Sequence, residues 1–371
     1  MKPKVAIMNI SDDEVSLALK EEWEGRGYSV LCYNVLSFLS NNDHKRLHNV
    51  SLTFFKADSK LRDVVYTLTN NRVAVFFIRM YLKRKFISLF NQCQKDNPQV
   101  LIAVHPLTTQ LGALYKKYFH KSTYLFSIVT DYTVHQMSIS KLNEKLFAPI
   151  SGSLRRLERV PIKQLGTPLT KKYDDIKTKS ARRKELKINR ITEMVVVSTN
   201  VNKMSEQQII ESVKGKKRPL HLFWFKDFNE KPLCEKTYYQ NGSTITYVTS
   251  LQDYYKYLQA ADLAITKPSG VKLAEATYYQ LPIVCVQPQS IQEHQNVIEL
   301  MKQKDHMYLF DRHTNLSVMI DLWKDHQPID KRKRSSELVV DEMFKIIERN
   351  IKREKQLCST PIMEKTLNKN V

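Results

Sequence analysis

The chain has 371 residues, of which 42% are hydrophobic and 26% are charged. This length predicts two domains, each with its own core, and the composition excludes a disordered or collagen-like protein. Lys and Arg number 59 against 38 Asp and Glu, which gives a formal net charge of +21. This charge favours polyanionic partners, such as an anionic membrane surface or nucleic acid, and anionic substrates such as a nucleotide sugar. Many basic proteins, however, use such charge only for solubility.

The cysteine pattern and the apolar runs bear on compartment and membrane topology. The five cysteines are odd in number and far apart, and no C-x-x-C occurs, so we expect neither a disulfide framework nor a zinc site. No apolar stretch approaches about 18 residues, and the amino terminus lacks a small-residue cleavage site. We therefore expect a cytoplasmic protein without a signal peptide or transmembrane span, and any contact of this basic chain with a membrane is expected to be peripheral and at its inner face.

The first half of the chain alternates short apolar runs with helix-compatible segments. The apolar runs predict buried strands at Val5–Ile10, Tyr28–Val35, Val100–Val104 and Tyr124–Val129. After the first of these strands, Ser11 and Glu14 have the spacing of a capping box and precede an amphipathic stretch that ends at Gly25. This β-α-β alternation is typical of a doubly wound parallel sheet.

In the chain's first half, a segment between two predicted strands is rich in aromatic and basic residues. It contains Phe76 and Phe77, followed by Lys83, Arg84 and Lys85. On a helix this combination suits a membrane interface, because apolar side chains enter the headgroup boundary while the cations meet anionic lipid. Two alternatives stay open: a core helix whose cations reach solvent, and a groove that binds nucleic acid.

The alternation begins again in the second half, after a charged helical segment over Thr170–Leu186. Predicted strands follow at Met194–Val197, Leu220–Phe225, Ile245–Val248, Leu263–Thr266 and Ile283–Val286. From Lys331 to Arg353 the sequence predicts a basic terminal helix. We therefore expect an α/β protein with Rossmann-like domains over residues 1–168 and 169–330 and a basic helix and tail over 331–371.

The most informative segment is a strand–turn–helix unit in the second half. The strand Leu263–Thr266 leads through a tight turn at Pro268–Gly270 into a helix that carries Glu275 on its second turn. The start of such a helix binds anions, because unpaired N–H groups and the helix dipole point outward there, and a carboxylate further along can accept from ribose hydroxyls. The alternative is an ordinary β-α-β unit with Glu275 solvated.

These residues resemble the nucleotide-sugar motif of glycosyltransferase family 28, in the branch of monogalactosyldiacylglycerol synthases and processive diacylglycerol glucosyltransferases. The motif reads ITKPGG, LTEA, GLP and QE..N, and here it stands as Ile265–Gly270, Leu273–Ala276, Gln280–Pro282 and Gln292–Glu293 with Asn296. Three further segments resemble that branch in the same order: Ile128–His135 its VTDF...H, Leu165–Pro168 its TGIP, and Tyr247–Asp253 its GYVENIDEL.

The resemblance implies a GT-B fold, in which two Rossmann-like domains face each other across a cleft. It implies an inverting transfer of a hexose from a UDP-sugar to a lipid hydroxyl such as that of diacylglycerol, with the acceptor held by the amino-terminal domain. It also implies that no metal ion or other cofactor is needed. Carried over by position, the donor-binding residues are Thr199, Tyr247, Val248, Lys267, Pro268, Ser269, Gly270, Glu275, Gln292, Glu293 and Asn296.

The chain departs from this family at its phosphate-side loops. Family members have a glycine-rich loop with a histidine, a candidate base, after the first strand, where this chain has Ser11 to Glu14. A glycine pair of the second domain is replaced by Ser198–Asn202, and Ser269 replaces a glycine of ITKPGG. These changes leave open a different acceptor, either modified nucleic acid or a soluble metabolite, and a homologue that binds sugar nucleotides without catalysis.

The candidate bases come from the titratable side chains that remain. Asp131 and His135 belong to a segment that matches the family, while Asp12 and Asp13 occupy the loop of the missing histidine. A carboxylate whose pKa is raised by burial or crowding can act as a base. His105, at a strand end beside the same cleft, is either an acceptor contact or a hydrogen-bonded structural histidine.

Overall fold

The computed structural model describes most of the chain. The described residues are 3–11, 13–40, 59–149, 160–190, 192–198, 203–215, 218–225, 235–248, 250–302, 307–309, 318–319 and 333–359. Over these ranges the chain forms two sheets of mostly parallel strands, flanked by helices. The predicted α/β class is therefore confirmed.

The first domain is built on a six-stranded parallel sheet. Its strands are β1 (Val5–Asn9), β2 (Val30–Asn34), β3 (Val100–Ala103), β4 (Tyr124–Ile128), β5 (Lys145–Ala148) and β6 (Ile162–Gln164). Its helices are α1 (Glu14–Gly25), α2 (Ser59–Thr69), α3 (Arg72–Lys85), α4 (Ile87–Asp96) and α5 (Pro106–Tyr118). The strand order β2-β1-β3-β4-β5-β6 changes direction between β1 and β3, which opens a crevice at their carboxyl ends.

The second domain has a seven-stranded sheet in the described part of the chain. Its strands are β7 (Glu193–Val197), β8 (Leu220–Phe225), β9 (Glu235–Tyr238), β10 (Thr244–Val248), β11 (Leu263–Thr266), β12 (Ile283–Cys285) and β13 (Met307–Leu309). Its helices are α6 (Lys179–Glu185), α7 (Lys203–Lys214), α8 (Tyr254–Ala260), α9 (Gly270–Tyr278) and α10 (Ile291–Met301). The order is β13-β12-β11-β7-β8-β10-β9, with β9 antiparallel to β10.

The terminal helix α11 (Ser335–Ser359) returns to the first domain. Its apolar face, which includes Val339 and Met343, joins the core formed by β1, β3 and α1. Just before the helix, the Arg334 guanidinium lies 2.6 Å from the Glu22 carboxylate of α1. The helix predicted as basic is therefore amphipathic, and one of its faces is part of the first-domain core.

Two local predictions about helix starts are wrong. The amino-terminal cap of α1 is Asp13, whose Oδ1 accepts from the Ser16 N–H at 2.7 Å, so Ser11 and Glu14 do not form a capping box. The charged segment Thr170–Leu186 is also not one helix: it forms a short 3₁₀ turn and then α6. Thr178 caps α6 by accepting from the backbone N–H three residues later, and this cap starts a new helix.

Truncation of the buried face of α11 tests its place in the core. Met343 is fully buried, so Met343→Ala should lower the free energy of unfolding by about 2–5 kcal/mol, through lost apolar burial and a residual cavity. Urea denaturation of the purified protein measures this. Lys345→Ala, an exposed position of the same helix, should change the free energy by at most about 0.5 kcal/mol. Equal effects of the two substitutions would contradict the packing described.

Candidate active site

A cavity of about 430 Å³ opens at the carboxyl ends of β3 and β4, where the two domains meet. The first domain supplies most of its wall, including Tyr66 of α2, His105 and Asp131. Ser290 and Gln292 of the second domain complete the wall. The cavity therefore lies at the edge of the sheet where parallel α/β folds bind their ligands.

His105 caps the start of α5, and the backbone orients its ring. Its Nδ1 accepts a hydrogen bond from the Leu107 N–H at 3.1 Å. Since Nδ1 is the acceptor, Nε2 carries the proton of the neutral imidazole. Burial, assisted by the neighbouring His135, lowers the pKa of His105 to about 4. At pH 7 this side chain is therefore a neutral hydrogen-bond donor at the cavity wall rather than a base.

His135 joins the loop after β4 to α2. Its Nδ1 accepts from the Met137 N–H at 3.1 Å, and its Nε2 lies 3.2 Å from the Tyr66 carbonyl oxygen and 3.3 Å from Thr69 Oγ1. The Nε2–H therefore donates to the carbonyl, and burial lowers the pKa of the ring. With both nitrogens bonded within the protein, His135 holds the cavity wall and is poorly placed to act as the base.

Asp131 follows β4 and contacts the second domain. Its Oδ1 accepts from Asn296 Nδ2 at 3.0 Å, and its Oδ2 accepts from Gln292 Nε2. Gly270, at the start of α9, lies against the backbone of Asp131. Burial nevertheless raises the pKa of Asp131 above its usual range. Asp131 therefore combines contact with the cavity, contact with the predicted donor helix and an increased proton affinity, which a general base requires.

The backbone beside Asp131 lies directly against α9. A Cβ atom at Gly270 would overlap the carbonyl oxygen of Thr130, so glycine is needed here for close approach of the two domains. The next residue of the loop, Tyr132, is only 6% exposed and packs in the core of the second domain. The loop after β4 is therefore the place where the two domains share one packed interface.

Asp13, another predicted base, is used in helix capping. Its two carboxylate oxygens accept from the Ser16 N–H at 2.7 Å and the Ser16 hydroxyl at 3.1 Å. A carboxylate bonded in this way stabilises α1 and is not directed at an acceptor. Asp12 and Thr199, two further predicted site residues, lie outside the described residues.

The predicted donor carboxylate, Glu275, is buried on α9. It is 2% exposed, its Oε1 accepts from the Tyr173 hydroxyl at 2.6 Å, and Lys272 Nζ lies 3.0 Å from its Oε2. The alternative of a solvated Glu275 is therefore wrong. Its predicted contact with a donor ribose stays a prediction, because within the described residues the carboxylate already has protein partners.

The turn before α9 and the residues of α10 are close neighbours. Asn296 is fully buried and donates to the Pro268 carbonyl oxygen at 2.9 Å, while Ser269 occupies the capping position of α9 and Lys267 is exposed. Glu293, in the first turn of α10, accepts from the Gln289 N–H at 2.8 Å. The resemblance thus identified residues that lie together, although their contacts here are within the protein.

Tyr247 and Val248, at the end of β10, are less directly placed. The Tyr247 ring lies 5.9 Å from that of Trp224, and Val248 packs against the core of the second domain. Both are partly buried at the carboxyl edge of their sheet. The structure places them near the core, and their role in donor binding stays a prediction.

Helix α3 presents its aromatic residues to solvent. Val75 and Leu82 face the core, whereas Phe76 and Phe77 are 59% and 62% exposed. The alternative of a core helix with solvated cations is therefore wrong for the phenylalanines. The cations Lys83, Arg84 and Lys85 form the last turn of the same helix, and Lys83 Nζ lies 3.8 Å above the Tyr118 ring. None of the helices in the described part of the chain is long and apolar enough to cross a membrane.

Sequence reasoning missed α2, which forms one side of the cavity. Asp63 Oδ1 accepts from the Ile291 N–H at the start of α10 at 2.8 Å, and the Tyr66 hydroxyl donates to Gln295 Oε1 at 3.0 Å. These bonds connect α2 to the second domain across the cleft. The apolar spacing of Val64 and Leu68 was the available signal, but both of these side chains are exposed, so these two positions do not mark a buried face.

The low pKa of His105 predicts that folding weakens in acid. Between the ordinary pKa of 6.5 and the folded value of about 4, the unfolded chain binds a proton here that the folded chain does not. The free energy of unfolding therefore falls as the pH is lowered through this window, by about 3 kcal/mol in full.

His105→Asn keeps a capping side chain but cannot titrate. Its free energy of unfolding, measured in urea, should fall less steeply than that of the wild type between pH 6.5 and 4. If the free energy of unfolding depended on pH identically in the wild type and in His105→Asn, His105 would not be the group responsible for the loss of stability in acid.

Known proteins resemble this chain in sequence and in structure. A sequence model of the monogalactosyldiacylglycerol synthase family matches residues 12–163. The processive diacylglycerol β-glucosyltransferase of Bacillus pumilus is 21% identical over 284 residues, which cover 69% of this chain and 71% of that protein. The Staphylococcus carnosus protein of the same name is 22% identical over 240 residues, or 59% and 57% of the two chains.

Solved structures show the same fold at low identity. MurG of Acinetobacter baumannii superposes with a TM-score of 0.51 over 87% of this chain and 90% of MurG, at 12% identity. The calicheamicin glycosyltransferase CalG4 superposes with a TM-score of 0.55 over 88% and 90% of the two chains, at 10% identity. The chain is thus a glycosyltransferase of the GT-B fold whose sequence resembles the monogalactosyldiacylglycerol synthase and processive glucosyltransferase branch of family 28.

Proposed function

We propose that the protein transfers a hexose, with inversion, from a UDP-sugar to the hydroxyl of a diacylglycerol-like lipid at a membrane surface. The observation that carries this proposal is the position of Asp131, which lines the cavity of the first domain and whose backbone lies against the start of α9 in the second. A single carboxylate therefore lies between the proposed acceptor site and the proposed donor site.

The donor is proposed to bind at the carboxyl edge of the second sheet, around the start of α9. Backbone N–H groups and the helix dipole favour a diphosphate there, and the exposed Lys267 adds positive charge. These groups can stabilise the charge that develops on the leaving diphosphate, so the proposed reaction assigns no step to a metal ion. The departing UDP takes the electron pair of the anomeric carbon–oxygen bond.

Asp131 is proposed to remove the proton of the acceptor hydroxyl as its oxygen attacks the anomeric carbon. The attack comes from the face opposite the diphosphate, which inverts the configuration at that carbon. The raised pKa of this carboxyl favours proton acceptance. His105 donates a hydrogen bond from Nε2 and can hold an acceptor oxygen near Asp131, since both residues line the same cavity.

The acceptor is proposed to be a lipid because two features of the first domain, its cavity and α3, suit a lipid and because the related proteins act on one. Apolar residues such as Val104, Leu107 and Ile128 line the cavity. The related sequences named above are diacylglycerol glucosyltransferases. On α3, the exposed Phe76 and Phe77 precede the basic last turn, a pattern that suits peripheral binding. We place this contact at the cytoplasmic leaflet, whose anionic lipids attract Lys and Arg.

Removal of the proposed base gives the first test. With UDP-glucose or UDP-galactose and diacylglycerol vesicles, the wild type should release UDP, and Asp131→Asn should lower the turnover by about 10² to 10⁴-fold. Asp96→Asn is the matched control: its carboxylate accepts from the Tyr33 hydroxyl at 2.7 Å, away from the cleft, and turnover should be unchanged.

Two results would contradict the assignment. Wild-type turnover by Asp131→Asn would mean that another group is the base. If the wild type released no UDP with lipid, nucleic-acid or small-molecule acceptors, the protein would be a binding homologue without catalysis.

Membrane association gives the second test. Replacing Lys83, Arg84 and Lys85 by Gln removes cations that each contribute about 1 kcal/mol near an anionic surface. Sedimentation with vesicles that contain phosphatidylglycerol should then show weaker binding, and so should Phe76→Ser with Phe77→Ser, through lost apolar contact.

Substitution of Lys184, Lys187 and Lys214 by Gln is the control, because these exposed lysines lie on the second domain. If all three variants sedimented equally, α3 would not be the contact surface. Tight, steeply salt-dependent binding to nucleic acid instead of vesicles would favour the nucleic-acid acceptor.

A further inference from the structure

We propose that Asn296 and Gln292 are positioning residues for Asp131, so that the second domain orients the base of the first. This inference rests on the proposed function, in which Asp131 accepts the acceptor proton. It assigns to two amides of α10 a role that differs from the donor contact expected from their motif. The donor domain then contributes to proton transfer as well as to binding.

The hydrogen bonds of Asn296 fix its amide in one orientation. Its Oδ1 accepts from the Tyr132 N–H at 2.8 Å, and its Nδ2 donates to Asp131 Oδ1 at 3.0 Å and to the Pro268 carbonyl oxygen at 2.9 Å. A flipped amide would place its oxygen against two acceptors and its nitrogen against a donor. The orientation is therefore set by chemistry, and with it the direction of the N–H that holds Asp131.

Asn296 has little to offer a bound donor. Its side chain is fully buried, and both amide hydrogens already have acceptors within the protein. Gln292, in contrast, lines the cavity and donates to the second carboxylate oxygen of Asp131. The two amides thus hold the two oxygens separately, which fixes the plane of the carboxylate and aims its remaining lone pairs.

The donors to Asp131 that the described residues show come from the second domain. They are Asn296 and Gln292. The base is therefore oriented only while the loop after β4 packs on α9 and α10. Separation of the domains would release the carboxylate, so that proton transfer depends on a closed cleft.

The groups around Asp131 determine the direction in which each substitution should shift the pKa of this carboxyl. The amides of Asn296 and Gln292 favour the ionised carboxylate, whereas burial and the charge of Glu293 disfavour it. Tyr66 and His135 also face this carboxylate. Loss of either amide should therefore raise the pKa of Asp131 further, because donors to the ionised form are removed.

The experiment compares Asn296→Ala, Gln292→Ala and the control Gln295→Ala. Gln295 is on the same helix and also crosses the cleft, but its amide oxygen bonds to the Tyr66 hydroxyl. UDP affinity, measured by calorimetry, should stay within about twofold of the wild type in all three variants. Turnover should fall by about 10²-fold for Asn296→Ala, as expected for a misplaced catalytic group, and less for Gln292→Ala.

The pH profile supplies a signature that loss of structure alone would not produce. The acid limb of kcat/KM should move to higher pH in Asn296→Ala and Gln292→Ala and stay in place in Gln295→Ala. In a double-mutant cycle, Asn296→Ala should cause no further loss of turnover when Asp131→Asn is already present, because it acts through that residue.

Three outcomes would overturn the inference. A parallel loss of UDP affinity and turnover in Asn296→Ala would make Asn296 a donor ligand, and an unmoved acid limb in both variants would remove their link to the base. Full additivity with Asp131→Asn would show independent action.

Failure of the proposed function is distinguishable, because the wild type itself would then bind no UDP or release none. Gln292→Ala keeps the test valid if Asn296→Ala does not fold, since Gln292 is only partly buried.

Discussion

The burial of one carboxylate between two domains is the constraint on which the cleft depends. An ionised group removed from water is costly unless hydrogen-bond donors replace the lost hydration. Asp131 finds these donors on α10, and the need to reach them explains the neighbouring features. Gly270 has no side chain because the Thr130 carbonyl lies against it, and Tyr132 inserts into the second-domain core.

The proposed role of Asp131 would account for the absence of the loop histidine expected from the resemblance to family 28. The residues after β1 form a capped helix start, with Asp13 bonded to the backbone, so this loop supplies no free base in the described residues. The carboxyl end of β4 is a second position on the same sheet edge, and parallel strands bring it to the same crevice. Burial there changes the proton affinity of Asp131 in the direction that a base needs.

Sequence patterns predicted the strands that are short and apolar, most of which are buried, but they missed β5, β6, β9 and β13. The run Met194–Val197, for example, is fully buried within β7. Patterns could not predict hydrogen-bond partners. The spacing of Glu275 identified its place on α9, but the local sequence does not indicate that the Tyr173 hydroxyl, 102 residues away, donates to it. The contacts of Asn296 with Tyr132 and Asp131 were missed for the same reason, since they join segments that are distant in the chain.

Helices α2 and α3 connect the cavity to the proposed membrane surface. α2 lines the cavity with Tyr66, and Asn71 caps α3 almost immediately after α2 ends. α3 is anchored by Val75 and exposes Phe76 and Phe77 on another face. A lipid bound at this exposed face would therefore be one helix away from the cavity wall. The basic charge of the chain would then attract the surface, while the cavity, which α2 helps to line, would hold the hydroxyl that the proposed reaction brings to Asp131.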